Sequence, residues 1–390
     1  MPPNLHAILS ASSAKRWMSC PPSARLEEKL KDRFGDKSSR FAEEGSRAHA
    51  LAELKLQKEL GEINKFSYDT QRNAMPDIDS EMEWATNLYV DIVMQKYYAA
   101  KSVCPDAQIL IEQRLDFSNW VPHGFGTGDI VIVSDNILEV ADLKYGKGVP
   151  VLAEGNPQAR CYGLGALAAH GDLYGFTQVR NTIIQPRLDS VTEETLTREE
   201  LLRWAEEELK PKAELAWEGK GEYAPGDHCR FCAARALCYH RAAKCMQVFD
   251  SGLQTPGVLP DEEIPRILEC ADVIESWIKD IRAYAQAQAL KGQHWAGFKL
   301  VQGRRPPRKW TDTEAVVDQM SRAGYTDEQI YKPRELISVG EAEKLLGKPA
   351  FRAILGQFSS QGEGAPTLVP ESDKRLAINS TEAAFADLVE

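Results

Sequence analysis

The sequence predicts an α/β fold, a central hairpin of strands carrying polar residues and flanked by helices. Three observations carry that prediction. Apolar residues recur at helical spacing up to about residue 100, and strict alternation then takes over between residues 108 and 145. The element order that follows is three consecutive strands, a helix, a strand and a helix.

Ser10 is placed to cap a short helix through Trp17, which Cys20-Pro21-Pro22 would stop. A second helix is predicted over residues 40–60. A third, over residues 79–100, carries Met82, Ala85, Leu88, Tyr89, Ile92, Val93 and Lys96 at helical spacing. Residues 108–117 read as a strand followed by a Pro/Gly loop. Strands over 125–133 and 137–145 are separated by Ser134-Asp135-Asn136, residues that favour a turn. Pro157 opens an Ala-rich helix ending at His170, and residues 177–185 form a further strand. Thr197-x-x-Glu200 is a capping box for an acidic helix ending near Trp217. Past residue 250, Pro256, Pro260 and Pro265 punctuate a linker, and a helix follows over residues 269–290. Two domains are expected, 1–250 and 251–390, with the final stretch, rich in Ser, Gly, Pro and acids, disordered in part.

Bulk properties narrow the function classes. The 390 residues are 43% hydrophobic and 27% charged, enough for a sizeable core without disulfides. A net charge of −11 argues against a generally basic nucleic-acid coat but leaves room for a basic groove on an acidic body. No apolar run approaches the roughly 20 residues of a membrane helix, and residues 1–13 lack the charged start and apolar stretch of a signal peptide. A cytoplasmic location is expected, where thiols stay reduced. The eight cysteines then call for metal or catalysis before disulfides.

The hairpin is the most informative segment. A two-residue Asp135-Asn136 loop pairs Ser134 with Ile137 and puts Asp129 opposite Asp142. Lys144, two residues on, projects from the same face as Asp142. Two carboxylates and an ammonium pack poorly but suit a hard cation. Oxygen ligands hold Mg²⁺ or Mn²⁺, and such an ion stabilises charge on a phosphodiester while acidifying an attacking water. Lys144 is placed to orient or deprotonate that water, or to neutralise the phosphate. Taken alone, Asp-x-Lys reads first as a solvated hairpin edge, since the tripeptide occurs by chance in many proteins. Gly45, His49 and Glu53 share one helical face at i, i+4 and i+8, and Gln158 and Tyr162 share another at i, i+4.

Cys229-Arg230-Phe231-Cys232 with Cys238 forms C-x2-C-x5-C in a loop-rich stretch. Three ligands are one short of a closed tetrahedral or cubane site, and His228, His240, Cys245 and Cys20 are candidates for the fourth. A zinc knuckle and an iron–sulfur cluster both fit the spacing. Cys104, Cys161 and Cys270 lie in helical or strand patterns as packing residues.

Together these residues resemble the RecB-like branch of the PD-(D/E)XK nucleases. More narrowly, they resemble the iron–sulfur group that includes the AddB nuclease domain and the CRISPR-associated exonucleases. The resemblance spans roughly residues 5–245, with five motifs in the family's order: Leu9 to Cys20-Pro21, Gly45 to His49, Gly128-Asp129 with Asp142-Leu143-Lys144, Gln158 to Tyr162, and the cysteine trio. It implies a restriction-endonuclease-like core, a mixed sheet flanked by helices, with an iron–sulfur staple joining its two ends and an extra α-rich C-terminal region. It also implies that His49, Asp129, Asp142 and the backbone carbonyl of Leu143 are metal ligands for Mg²⁺ or Mn²⁺, with Glu112 a further acidic neighbour. Lys144 would be catalytic, and Gln158 and Tyr162 would contact the DNA backbone and brace it. Cys20, Cys229, Cys232 and Cys238 would hold a [4Fe–4S] cluster, with zinc the alternative occupant.

The expected activity is therefore that of a metal-dependent deoxyribonuclease, an exonuclease by resemblance. The chain has no G-x4-G-K-[ST] phosphate loop, so no helicase motor is expected within it. The plan resembles stand-alone phage and prophage nucleases. That implies DNA as partner, with a single-strand annealing or single-strand-binding recombination protein beside it and an oligomer as one arrangement. Arg304, Arg305, Arg308 and Lys309 with Trp310 form a basic segment suited to phosphates and base stacking, or equally to a solvated face. The rival reading is a catalytically silent nucleic-acid-binding scaffold.

Overall fold

The computed structural model describes residues 7–34, 40–171, 174–250 and 264–299, with a few isolated positions besides. The chain divides into two units, Met1–Gln293 and His294–Glu390. The expected boundary near residue 250 therefore falls inside the first unit, which holds all the elements below.

Helices α1 (Ala14–Ser19), α2 (Ser23–Phe34), α3 (Arg40–Glu59), α4 (Lys65–Ala74) and α5 (Ser80–Val103) precede the sheet. Strands β1 (Gln108–Asp116), β2 (Phe125–Val133) and β3 (Ile137–Leu143) follow, then α6 (Pro157–His170), β4 (Gln178–Gln185) and β5 (Ser190–Thr197). Helices α7 (Arg198–Trp204) and α8 (Lys210–Glu218) flank a π-helical turn, and α9 (Tyr239–Asp250) and α10 (Ile264–Leu290) end the unit.

The five strands run in the order β1-β2-β3-β4-β5. All neighbours are antiparallel except β3 and β4, which are parallel because α6 carries the chain across the sheet between them. The sheet is thus mixed and flanked by helices, as expected. One face packs on α1, α6, α7 and α8 through Trp17, Leu115, Val131, Val140, Leu164 and Leu201. The other packs on α3 and α5 through Leu56, Val93, Ile130, Ile132, Leu143 and Ile184.

The hairpin register is the one the turn chemistry predicts. Ile130 pairs with Ala141 and Val133 with Leu138, which sets Asp129 level with Asp142. Asn136 takes the left-handed conformation, φ 68°, at the turn. Thr197 closes the expected capping box, accepting from the Glu200 amide at 3.1 Å while its own amide donates to Glu200 at 2.8 Å.

Among the elements not predicted are β5 and α4. The β5 segment, Ser-Val-Thr-Glu-Glu-Thr-Leu-Thr, lacks an apolar run because it is an edge strand. Its glutamates are held by partners distant in sequence, Glu194 by Arg160 at 2.6 Å and Glu193 by Lys96. Helix α4 buries no residue and starts from Asn64, whose side chain accepts from the Ser67 amide. Pro265, expected in a linker, instead sits in the first turn of α10, where its missing N–H costs no helical bond. Asp280 ties α10 to the cysteine region through Arg235 at 2.9 Å and Arg241 at 2.6 Å. No helix among the described residues is long and apolar enough to cross a membrane.

Candidate functional site

The site begins with a slip in two neighbouring strands. Along β1, Ile109 and Ile111 pack on the α3/α5 side, whereas Leu115 packs on the α6 side. Along β2, Ile130 and Ile132 face α3/α5. A Cβ built on Gly126 would instead meet Tyr162, and one on Gly128 would meet Leu115, both on the α6 side. Alternation therefore breaks at the same level in both strands. The pairing jumps from Ile111–Ile130 to Gln113–Gly128, leaving Glu112 and Asp129 facing each other without a ladder pair. Glu112 has φ 49°, the left-handed conformation that lets it turn. Consecutive residues Ile111 and Glu112 consequently line one cavity with Asp129, beneath α3.

That cavity, about 10 Å³, is lined by His49, Ala52, Glu53, Leu56, Tyr89, Ile111, Glu112, Asp129 and Leu143. It is the size of one water or one ion on that measure. Ligand atoms of His49, Glu112 and Asp129 lie within 4.8 Å of one another. His49 Nδ1 and Asp129 Oδ1 are 3.1 Å apart, and the Leu143 amide donates to Asp129 Oδ2 at 2.7 Å. Asp129 thus takes over the backbone group its own strand leaves unpaired.

Electrostatics at this point are those of crowded acids. Burial, with the charges of Asp129 and Glu53, pushes the Glu112 carboxyl up to about 7. Burial pulls the His49 imidazole down, but its hydrogen bond to Asp129 and that charge outweigh it, and the balance is upward. Such a set could hold a metal ion.

Asp142 lies outside the lining of this cavity. It keeps the alternation of Leu138 and Val140 and faces α6, whereas Asp129 has slipped to the α3 side. Burial raises the Asp142 carboxyl above its ordinary range, with Lys144 opposing and Asp129 adding to the rise. Lys144 Nζ contacts Asp142 Oδ2 at 2.7 Å and donates to Gln158 Oε1 at 3.1 Å, while Gln158 Nε2 donates to Asp142 Oδ1 at 3.2 Å. Gln158 is fixed because α6 starts there. Asn156 caps the amides of Gln158 and Ala159, and Pro157 occupies the first turn. Tyr162, one turn on, is buried against Gly126, where a Cβ would come within 2.8 Å of its ring. The sequence spacing that put Gln158 and Tyr162 on one face is observed.

The four candidate cysteines come from two stretches far apart in the sequence and line one cavity. Cys20 follows α1, and Cys229, Cys232 and Cys238 follow α8; with Arg16, His228 and Arg241 they enclose about 20 Å³. Among the described residues, no three of these sulfurs lie within 4.8 Å of one another. Burial, then Glu27, pushes the Cys232 thiol up to about 12. Of the other candidates for a fourth ligand, His240 stacks on Tyr223 at 4.0 Å and Cys245 is buried outside the lining. Arg16 and Arg241 are buried here, Arg16 paired with Glu27 at 2.7 Å and Arg241 with Asp280. Cys104 and Cys161 are buried away from the cavity. The basic segment Arg304, Arg305, Arg308, Lys309 and Trp310, and the tail expected to be disordered, lie outside the described residues.

Residues 6–376 match the family model described as "Protein of unknown function (DUF2800)". The chain belongs to the DUF2800 family. Among solved structures, one described as "Crystal structure of SSO0001" is 13% identical and covers 61% of this chain and 88% of its own, with a TM-score of 0.26. A likeness at that score carries no argument about fold or function, so the reading of this DUF2800 protein rests on its own residues.

Proposed function

We propose that this DUF2800 chain is a divalent-metal-dependent deoxyribonuclease of the RecB-like PD-(D/E)XK type. The observation that carries the reading is the juxtaposition of two sets at the end of one hairpin. His49, Glu112 and Asp129 offer ligand atoms within 4.8 Å of one another. Beside them, Asp142, Lys144 and Gln158 form a closed triangle of contacts.

An imidazole and two carboxylates around an ion-sized cavity suit Mg²⁺ or Mn²⁺. When bound, such an ion supplies an acidified water and charge neutralisation for phosphodiester hydrolysis. The protein's own groups do the rest. Asp129 is aimed by the Leu143 amide and by His49. Gln158 holds both Lys144 and Asp142, so the ammonium is presented at a fixed place where it can neutralise a phosphate oxygen.

The same reading takes the cysteine cavity as the seat of a cluster. Cys20, Cys229, Cys232 and Cys238, which line it together, would hold a [4Fe–4S] group as a staple, with zinc the alternative occupant. Buried Arg16 and Arg241 supply positive charge beside a thiolate-ligated group.

Asp129→Ala and Asp142→Ala are expected to abolish Mn²⁺-dependent DNA cleavage, with melting in chelator kept within a few degrees of the parent. Substantial turnover by both purified variants removes this assignment. DNA binding without turnover in the parent would favour the scaffold instead.

A further inference from the structure

Tyr89 lies on α5, in a run whose spacing reads as ordinary core packing, and its ring is buried as that reading expects. Its hydroxyl does not fit the packing role. The Oη atom is shut off from solvent and has no hydrogen-bond partner among the described residues. It belongs to a side chain only 1% exposed that lines the same ion-sized cavity as His49, Glu53, Glu112 and Asp129. Buried hydroxyls in folded proteins are almost always partnered, and an orphan on a side chain that lines a cavity with His49, Glu53, Glu112 and Asp129 points to an occupant there. Phenylalanine would fill the same space without that cost.

We infer that Tyr89 is a positioning residue of the metal centre, its hydroxyl donating to an oxygen in the layer around a divalent ion held by His49, Glu112 and Asp129. The inference rests on reading those three residues as ligands. Burial, with the charges of Asp129, Asp142 and Glu112, holds the phenol well above its ordinary range. A phenol in its ordinary protonated form has one O–H to donate. Partners of this kind orient ligands and bound waters, and their removal weakens metal sites by about 10–100-fold.

The test is Mn²⁺ binding to metal-free full-length protein, read as free Mn²⁺ by EPR and as the rise in melting temperature. Parent, Tyr89→Phe and Asp129→Asn are compared. Tyr89→Phe is expected to bind Mn²⁺ about 10–100-fold more weakly, while melting in chelator at or above the parent. Asp129→Asn is expected to lose binding. If Asp129→Asn loses Mn²⁺ and Tyr89→Phe binds like the parent, the role of Tyr89 is overturned and the metal centre stands. A Tyr89→Phe protein that melts well below the parent in chelator also overturns it, because the hydroxyl then has a partner in the metal-free fold. If the parent does not bind, or Asp129→Asn binds equally, the metal centre itself fails and takes Tyr89 with it.

Discussion

Glu112 and Asp129 face each other across β1 and β2 at the level where the ladder between those strands skips a pair, and both side chains enter the cavity beneath α3. The slip turns an ordinary half-buried sheet face into a cluster of acids beside His49. Counted from Ile111 and from Ile130, strict alternation would have sent both carboxylates to the α6 side.

The first consequence is a dependence of stability on pH. The Glu112 carboxyl sits at about 7 in the folded protein, above its ordinary 4.5. A raised carboxyl favours the fold below about pH 4.5, and that contribution is lost as pH rises through 7. In chelator, unfolding free energy should fall over this window by on the order of 1–3 kcal/mol. His49, also raised, adds a loss of the same sign at the upper end. Glu112→Gln should flatten the dependence, and Mn²⁺ should restore the parent's stability at pH 8. Denaturant melts at a series of pH values check both.

The second concerns how Tyr162 is seated. Gly126→Ala places a methyl 2.8 Å from the Tyr162 ring, and overpacking of that kind costs about 1–3 kcal/mol. Gly126→Ala with Tyr162→Leu should recover part of the loss, since residues in contact are not additive. Additive losses in a double-mutant cycle would mean that the glycine serves another purpose.

Much of this was legible beforehand, and the exceptions have physical causes. The hairpin register followed from Asp135-Asn136, and the start of α6 from Pro157, because both are local chemistry. The place of Gln158 beside Lys144 then followed from helical spacing. The weight of Glu112 was hidden because alternation, counted along β1 from Ile109 and Ile111, sends it to the α6 face. A left-handed residue at position 112 breaks that rule, and no glycine marks it. On the partner strand Gly126 and Gly128 are the visible trace of the same event, as residues whose missing Cβ atoms make room for Tyr162 and Leu115. The edge strand β5 was hidden for a different reason: its glutamates are stabilised by Arg160 and Lys96, partners that only the tertiary fold supplies.

The cysteines give a third prediction. Cys20→Ser and Cys232→Ser remove wall residues contributed by two stretches far apart in the sequence. Each should purify without oxygen as a protein lacking iron and sulfide and melting below the parent, since metal binding and folding are coupled. Cys104→Ala, outside that wall, should keep its iron. Full iron in Cys232→Ser would refute that ligand, and zinc without sulfide in the parent would replace the cluster by a single ion.

The measurement that bears most directly on the whole account is cleavage of DNA labelled at either end, single- and double-stranded, by parent and Lys144→Ala in Mn²⁺ and in chelator. Lys144 is held by Asp142 at 2.7 Å and by Gln158 at 3.1 Å, so its loss should remove turnover and leave the fold in place. The account predicts a ladder of products from the parent in Mn²⁺ alone. Equal cleavage by Lys144→Ala, or none by an iron-replete parent that binds both DNAs, would contradict it.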